Sequence, residues 1–173
     1  MLVAAGGGQA PDVELSGATL DSRRVRPGDL YAALPGEHAH GAQFAAQAER
    51  AGAAAILTDP AGETLLERDG VALPRLVVDD PRGVLGPVAA QIYGRPADGL
   101  TLIGVTGTNG KTTTAYILEA ALRALGRRTG LIGTIETRVG DRSVASERTT
   151  PESCDLHGLF ALMREEGVDA SLT

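Results

Sequence analysis

The 173-residue chain has a single lysine, a single cysteine, no tryptophan and few aromatics of any kind. With Cys154 alone there is no disulfide framework and no thiolate metal cluster. Aromatic residues amount to 3%, namely Tyr31, Phe44, Tyr93, Tyr116 and Phe160, so a core has to be built mainly from Ala, Leu, Val and Ile. No stretch approaches the roughly 20 apolar residues of a membrane span. The start, Met1 to Gly6, lacks the basic region and the apolar length of a signal peptide. A net charge of −6 argues against a nucleic-acid binder, which normally carries a basic face. What remains is the expectation of a soluble, cytoplasmic globular protein, which 43% hydrophobic and 22% charged residues fit.

The shortage of lysine is itself informative. Lys and Arg total 16, and Lys111 is the one lysine among them. Arginine is a rigid fork, whereas lysine is a compact point charge on a flexible stem. A site that needs the second kind of cation resists a bias toward the first.

Short apolar runs alternate with helix-period stretches, which predicts an α/β architecture. Strands are expected at Leu30–Leu34, Ala53–Thr58 and Leu76–Val78, with a helix from Ala42 to Ala51 stopped by Gly52 and another from Pro81 to about Tyr93. Gly94-Arg95-Pro96-Ala97-Asp98-Gly99 interrupts the pattern and places a domain boundary there, giving domains 1–98 and 99–173. Beyond it come a strand at Leu100–Thr106 and a helix at Thr112–Leu125, with Ile117, Leu118, Ala121, Leu122 and Leu125 on one face. A strand follows at Leu131–Ile135, then a helix capped by Thr150 with Pro151 in its first turn, then a strand opening at Asp169.

Between an apolar strand and an amphipathic helix sits Gly107-Thr108-Asn109-Gly110-Lys111-Thr112. That setting predicts a phosphate-binding loop: glycines let the backbone wrap a phosphate, and a helix N-terminus adds positive potential. Lys111 reaches the β- and γ-phosphates and the Thr112 hydroxyl can ligate Mg²⁺. The common spacing would put a glycine where Val105 stands; Gly104 and Gly107 flank it instead. The bland alternative is a glycine turn joining strand to helix.

Several other residues read blandly. Asp79-Asp80 is a strand-end turn before Pro81, and His38, His40 and His157 are placed on surface loops without metal-ligand spacing. Cys154 is a half-buried helix cysteine. Arg23 and Arg24 either meet a diphosphate or are simply solvated.

The stretch from Gly104 to Thr114, Gly-Val-Thr-Gly-Thr-Asn-Gly-Lys-Thr-Thr-Thr, resembles the ATP loop of the Mur ligases of peptidoglycan synthesis, variant spacing included. Leu20-Asp21-Ser22-Arg23, Val25 and Pro27-Gly28-Asp29-Leu30 resemble the N-terminal uridine-nucleotide domain of the MurE and MurF branches. Ile132-Gly133-Thr134-Ile135 and Thr149-Thr150-Pro151-Glu152 resemble the MurE branch. The resemblance runs from about Asp12 to Thr173. It implies an α/β uridine-nucleotide domain followed by the start of a P-loop ATPase domain with a mainly parallel sheet.

The activity it implies is a ligase of cell-wall synthesis, acting in cell shape and division. Such a ligase adds a diamino acid, meso-diaminopimelate or L-lysine, to UDP-N-acetylmuramoyl-L-alanyl-D-glutamate, through an acyl phosphate made with ATP and Mg²⁺. By the same resemblance Leu20, Ser22, Glu37, His38 and Ala39 hold the uridine substrate, and Thr149 and Thr150 contact its muramoyl-dipeptide part. Gly107, Thr108, Asn109, Gly110, Lys111, Thr112 and Thr113 form the ATP loop, with Lys111 catalytic and Thr112 on the metal. The chain departs from the family at His40-Gly41-Ala42-Gln43-Phe44, where relatives have Asp-Gly-His-x-Phe, so no role transfers to His40. It also ends before the family's Glu-Val-Ser-Ser-His segment, its carboxylated lysine and its C-terminal domain. The expectation is therefore an incomplete ligase, inactive alone, with a MurF-type ligase or a non-catalytic nucleotide-binding fragment as alternatives.

Overall fold

The computed structural model describes residues 13–133, 135–144 and 151–173. It is an α/β protein of two compact units, Met1–Ile92 and Tyr93–Thr173.

The first unit is a four-stranded, wholly parallel sheet in the order β1 (Gly17–Thr19), β2 (Asp29–Ala32), β3 (Ala55–Thr58), β4 (Arg75–Val77). A parallel pair cannot be closed by a tight hairpin, so each step needs a crossover. Between β2 and β3 it is a 3₁₀ turn, Gly41–Phe44, running into α1 (Ala45–Arg50); between β3 and β4 it is α2 (Pro60–Arg68). The helix α3 (Pro81–Ile92) follows, its first turn held by Asp80, whose Oδ1 accepts the Gly83 N–H at 2.9 Å. The core is what an aromatic-poor sequence allows: Ala33, Ala42, Ala45 and Ala48 packed with Ile56, Leu66 and Val71 around Tyr31. The hydroxyl of Tyr31 donates to the Gly41 carbonyl at 2.9 Å, and burial pushes the phenol up to about 12.

The second unit has five strands in the order β5, β9, β6, β7, β8. β5 (Thr101–Ile103), β9 (Ala170–Leu172) and β6 (Thr129–Ile132) run parallel, while β7 (Thr137–Val139) and β8 (Arg142–Val144) continue as an antiparallel meander. The helix α4 (Lys111–Ala124) connects β5 to β6, and α5 (Ser153–Glu165) leads into β9. Strand residues alternate between faces. One set, Ile132 and Val139, packs with Phe160 and Met163 of α5; Gly130 leaves room for the Met163 thioether, which a β-carbon would strike. The opposite set carries Thr129 and Arg138, and these meet α4.

Three expectations are corrected here. The helix α5 begins at Ser153 with Glu152 as its N-cap, so Pro151 stands before the helix and not in its first turn. The strand β5 stops at Ile103 and not at Thr106, because the chain then leaves the sheet for the glycine loop. The helix α4 starts at Lys111 and ends at Ala124, with Leu125 as its C-cap and not its last helical residue; Ile117, Leu118 and Leu125 are exposed while Glu119, at 3% exposure, is buried against the sheet.

Candidate functional site

In the second unit the loop Gly104–Gly110 leaves the C-terminal end of β5 and enters α4 at Lys111. In open α/β sheets ligands bind at this end of the strands. Gly107 has φ +148° and Gly110 has φ +80°, backbone that L side chains rarely adopt, which is why glycine stands at both. Gly110 is the N-cap of α4 and offers no capping side chain, so the first amide N–H groups of the helix keep their donors for another partner. Lys111 is the first helical residue, and its Nζ donates to the Gly107 carbonyl at 2.6 Å. The cation is thus folded over the mouth of its own loop. Thr108, Asn109, Gly110, Lys111 and Thr113 are solvent-exposed and Thr112 is half-buried.

This donor set fits a polyphosphate: left-handed glycines, helix-end amides without a side-chain cap and one ammonium. It fits Mg²⁺ in the usual limited way, through one hydroxyl, that of Thr112, with phosphate oxygens and water completing the shell. Among the described residues no cluster of three or more His, Cys, Asp or Glu side chains could hold a metal ion.

In the first unit Leu20 and Ser22 follow β1, and Glu37, His38 and Ala39 follow β2. The two stretches therefore lie at the C-terminal ends of neighbouring parallel strands, on one edge of the sheet. Ser22 is buried and its Oγ donates to Gln47 Oε1 on α1 at 3.1 Å. Leu20 is half-buried, whereas Glu37 and His38 are exposed at the tip of a loop pinched by a bridge between Pro35 and His40. Arg23 is exposed and closes a bidentate pair with Asp21, at 2.9 and 2.7 Å. That pair holds the Asp21 carboxyl down at about 2, the hydrogen bond being the main cause. Thr149 and Thr150, expected on the substrate, lie outside the described residues.

Two histidines depart from their expected surface positions. His40 is largely buried: its Nδ1 accepts the Ala42 N–H at 3.0 Å, and its Nε2 meets Asp59 Oδ1 at 3.0 Å. That is a structural role at the position where the chain departs from the family pattern. His157 lies on α5 with its Nδ1 buried and unpartnered, and desolvation pushes its pKa down. Cys154 is fully buried in the first turn of α5, further inside than expected. Sequence reasoning missed Gln47, Asp59 and Glu119. Asp59 was accessible, because Asp-Pro followed by Glu63 is a helix-start signal.

Among the described residues no helix is long and apolar enough to cross a membrane.

Two family descriptions match the chain: "Mur ligase family, catalytic domain" over residues 14–93 and "Mur ligase middle domain" over residues 105–172. The chain is 61% identical over 159 residues to the UDP-N-acetylmuramoyl-L-alanyl-D-glutamate–2,6-diaminopimelate ligase of Streptomyces avermitilis, covering 92% of this chain and 31% of that protein. A solved structure of a UDP-N-acetylmuramoyl-L-alanyl-D-glutamate–2,6-diaminopimelate ligase superposes with a TM-score of 0.74 at 25% identity, covering 96% of this chain and 33% of that one. A MurF ligase from Thermotoga maritima in complex with ADP gives 0.60 at 26% identity, covering 93% and 32%. The chain spans about a third of the length of these relatives.

Proposed function

The chain belongs to the Mur ligase family, carrying sequence of its N-terminal and middle domains, and from that premise we propose that it serves an ATP-dependent amide ligase of the MurE type. The reaction joins a diamino acid, 2,6-diaminopimelate in the names of its relatives, to UDP-N-acetylmuramoyl-L-alanyl-D-glutamate. ATP phosphorylates the free side-chain carboxylate of the D-glutamate, and the amine displaces phosphate from the acyl phosphate.

The observation that carries this reading is the glycine loop between β5 and α4 with the chain's sole lysine at the helix start. Gly107, Thr108, Asn109, Gly110, Lys111, Thr112 and Thr113 bind the ATP phosphates. The Lys111 ammonium exchanges the Gly107 carbonyl for phosphate oxygen, so the positive charge is already poised where negative charge develops during phosphoryl transfer. Thr112 holds the metal, and Mg²⁺ when bound neutralises phosphate charge. Domain 1–98 holds the uridine end of the substrate at the strand ends, through Leu20, Ser22, Glu37, His38 and Ala39, and domain 99–173 is the ATP-binding part. Thr149 and Thr150 contact the muramoyl-dipeptide. The higher TM-score with the diaminopimelate ligase than with the MurF ligase favours the MurE branch.

The test is Lys111→Ala in the complete protein. Substrate-dependent release of ADP falls by roughly 10²-fold or more, while the uridine substrate still binds. Turnover close to wild type would sink the loop assignment.

A further inference from the structure

The most unusual packing in the second unit is the seat of α4. Among the described residues of α4 only Glu119 is fully buried, while Ile117, Leu118 and the C-cap Leu125 are exposed. Glu119 Oε2 receives Arg138 Nη2 of β7 at 2.6 Å, and its Oε1 receives the Thr129 hydroxyl of β6 at 3.1 Å. Arg123, one turn further along α4, donates to Thr129 Oγ1 at 3.1 Å, to the Gly140 carbonyl at 2.9 Å and to Asp141 at 2.8 Å. On the preceding turn Tyr116 donates to Glu136 at 2.9 Å, and Glu136 lies 3.4 Å from Arg138. The helix is therefore docked by a directional polar network.

We propose that Glu119 and Arg138 are positioning residues for the phosphate loop: their pair, with Glu119 buried and Arg138 half-buried, fixes the rotation and axial height at which α4 presents Lys111 and Thr112. This rests on the reading that the loop binds ATP. The reason lies in the difference between apolar and ionic contacts. An apolar stripe tolerates sliding, because one methyl group replaces another. A slip of α4 by one residue moves it about 1.5 Å and turns it about 100°, which strands a buried carboxylate and parts it from the half-buried guanidinium of Arg138. A buried pair is poor at adding net stability and well suited to forbidding alternatives. Here Arg138 Nε is buried without a partner, so the pair is not tuned for stability. Lys111 stands about two turns before Glu119 on the same helix, and a rigid helix transmits the register to the loop. Displacements of this order at phosphate-positioning groups are felt strongly in binding and rate.

The test uses the complete protein, with Mg·ADP as the probe for the loop and UDP as the probe for the first unit, both by titration calorimetry. Wild type is measured first, with Lys111→Ala beside it. If wild type does not bind Mg·ADP, or binds it no better than Lys111→Ala, the ATP-loop reading fails and the inference with it. Given binding, two variants are compared. Glu119→Leu/Arg138→Leu replaces the pair with an apolar contact, and Glu119→Asp keeps the charge but shortens its reach by one methylene. The expected result is a melting temperature near wild type and unchanged UDP affinity, with Mg·ADP bound on the order of tenfold more weakly by the double variant and several-fold more weakly by Glu119→Asp. Should the double variant fail to fold, Glu119→Asp decides alone. Wild-type Mg·ADP affinity in a folded variant overturns the proposal, because a merely structural pair moves the melting temperature and not the affinity.

Discussion

His40 Nε2 lies 3.0 Å from Asp59 Oδ1, and each of these side chains is at the same time the cap of a helical element. His40 Nδ1 accepts the Ala42 N–H at the start of the 3₁₀ turn, and Asp59 Oδ1 accepts the Gly62 N–H at 2.7 Å at the start of α2. Because Nδ1 is an acceptor, the proton sits on Nε2, which donates to Asp59. Two crossover elements that follow different strands are thereby clasped together.

From this clasp, His40→Ala is expected to destabilise the chain by about 1–2 kcal/mol, combining a lost cap with a lost hydrogen bond to a carboxylate. Urea unfolding measures it. Mg·ADP affinity should not change, and a stability loss below about 0.5 kcal/mol would show that the clasp contributes nothing.

Gly110→Ala isolates the cost of the left-handed N-cap of α4. A β-carbon there meets nothing within 4 Å, so the penalty is one of backbone conformation alone, about 1 kcal/mol. Chemical denaturation should show that loss, and calorimetry a weaker grip on Mg·ADP as the loop relaxes. An alanine variant equal to wild type in both would mean that the loop does not hold its φ of +80°.

The pH dependence of stability should carry the mark of His157. Its burial pushes the folded pKa below 6.5, so the unfolded chain takes up the proton first as pH falls, and stability declines below about pH 6.5. His157→Leu removes both that titration and the buried unpartnered Nδ1. The variant should melt higher than wild type at pH 5, with the gap narrowing toward pH 8. A gap that does not change with pH would refute this origin.

Ser22→Ala probes the uridine edge of the first unit. The lost hydroxyl should weaken UDP several-fold, the range of a single neutral hydrogen bond, and leave Mg·ADP untouched. Gln47 is exposed, so water takes over its carbonyl and stability changes little. Equal UDP affinity in the two proteins would remove Ser22 from the site.

Legibility of the fold tracked the strength of local signals. Apolar runs such as Leu30–Leu34 and Ala53–Thr58, and stops such as Gly52, marked β2, β3 and α1 to within a few residues. The three-residue β1 was too short to show a period. The meander β7–β8 was overlooked because its strands are charged, although Gly140-Asp141 is a hairpin turn signal. In α4 the period and the apolar face were legible, but the burial of Glu119 was not. No local rule shows that Arg138 of β7 and Thr129 of β6 await Glu119 on the sheet face beside the helix. The glycine loop was the most legible feature, since its chemistry is local to the chain. The pairing of Ser22 with Gln47 was not, because it depends on how α1 folds back.

The strand order of the second unit also dictates a sequence of events during folding. The meander of β6, β7 and β8 pairs residues close along the chain, Val139 with Arg142 and Gly130 with Val139, and forms as soon as those residues are free to meet. β5 has no such local partner: Thr101 pairs with Ala170. Its ladder closes only after α5 and β9 have emerged, so the loop that holds Lys111 hangs from an unfinished edge until β9 is in place.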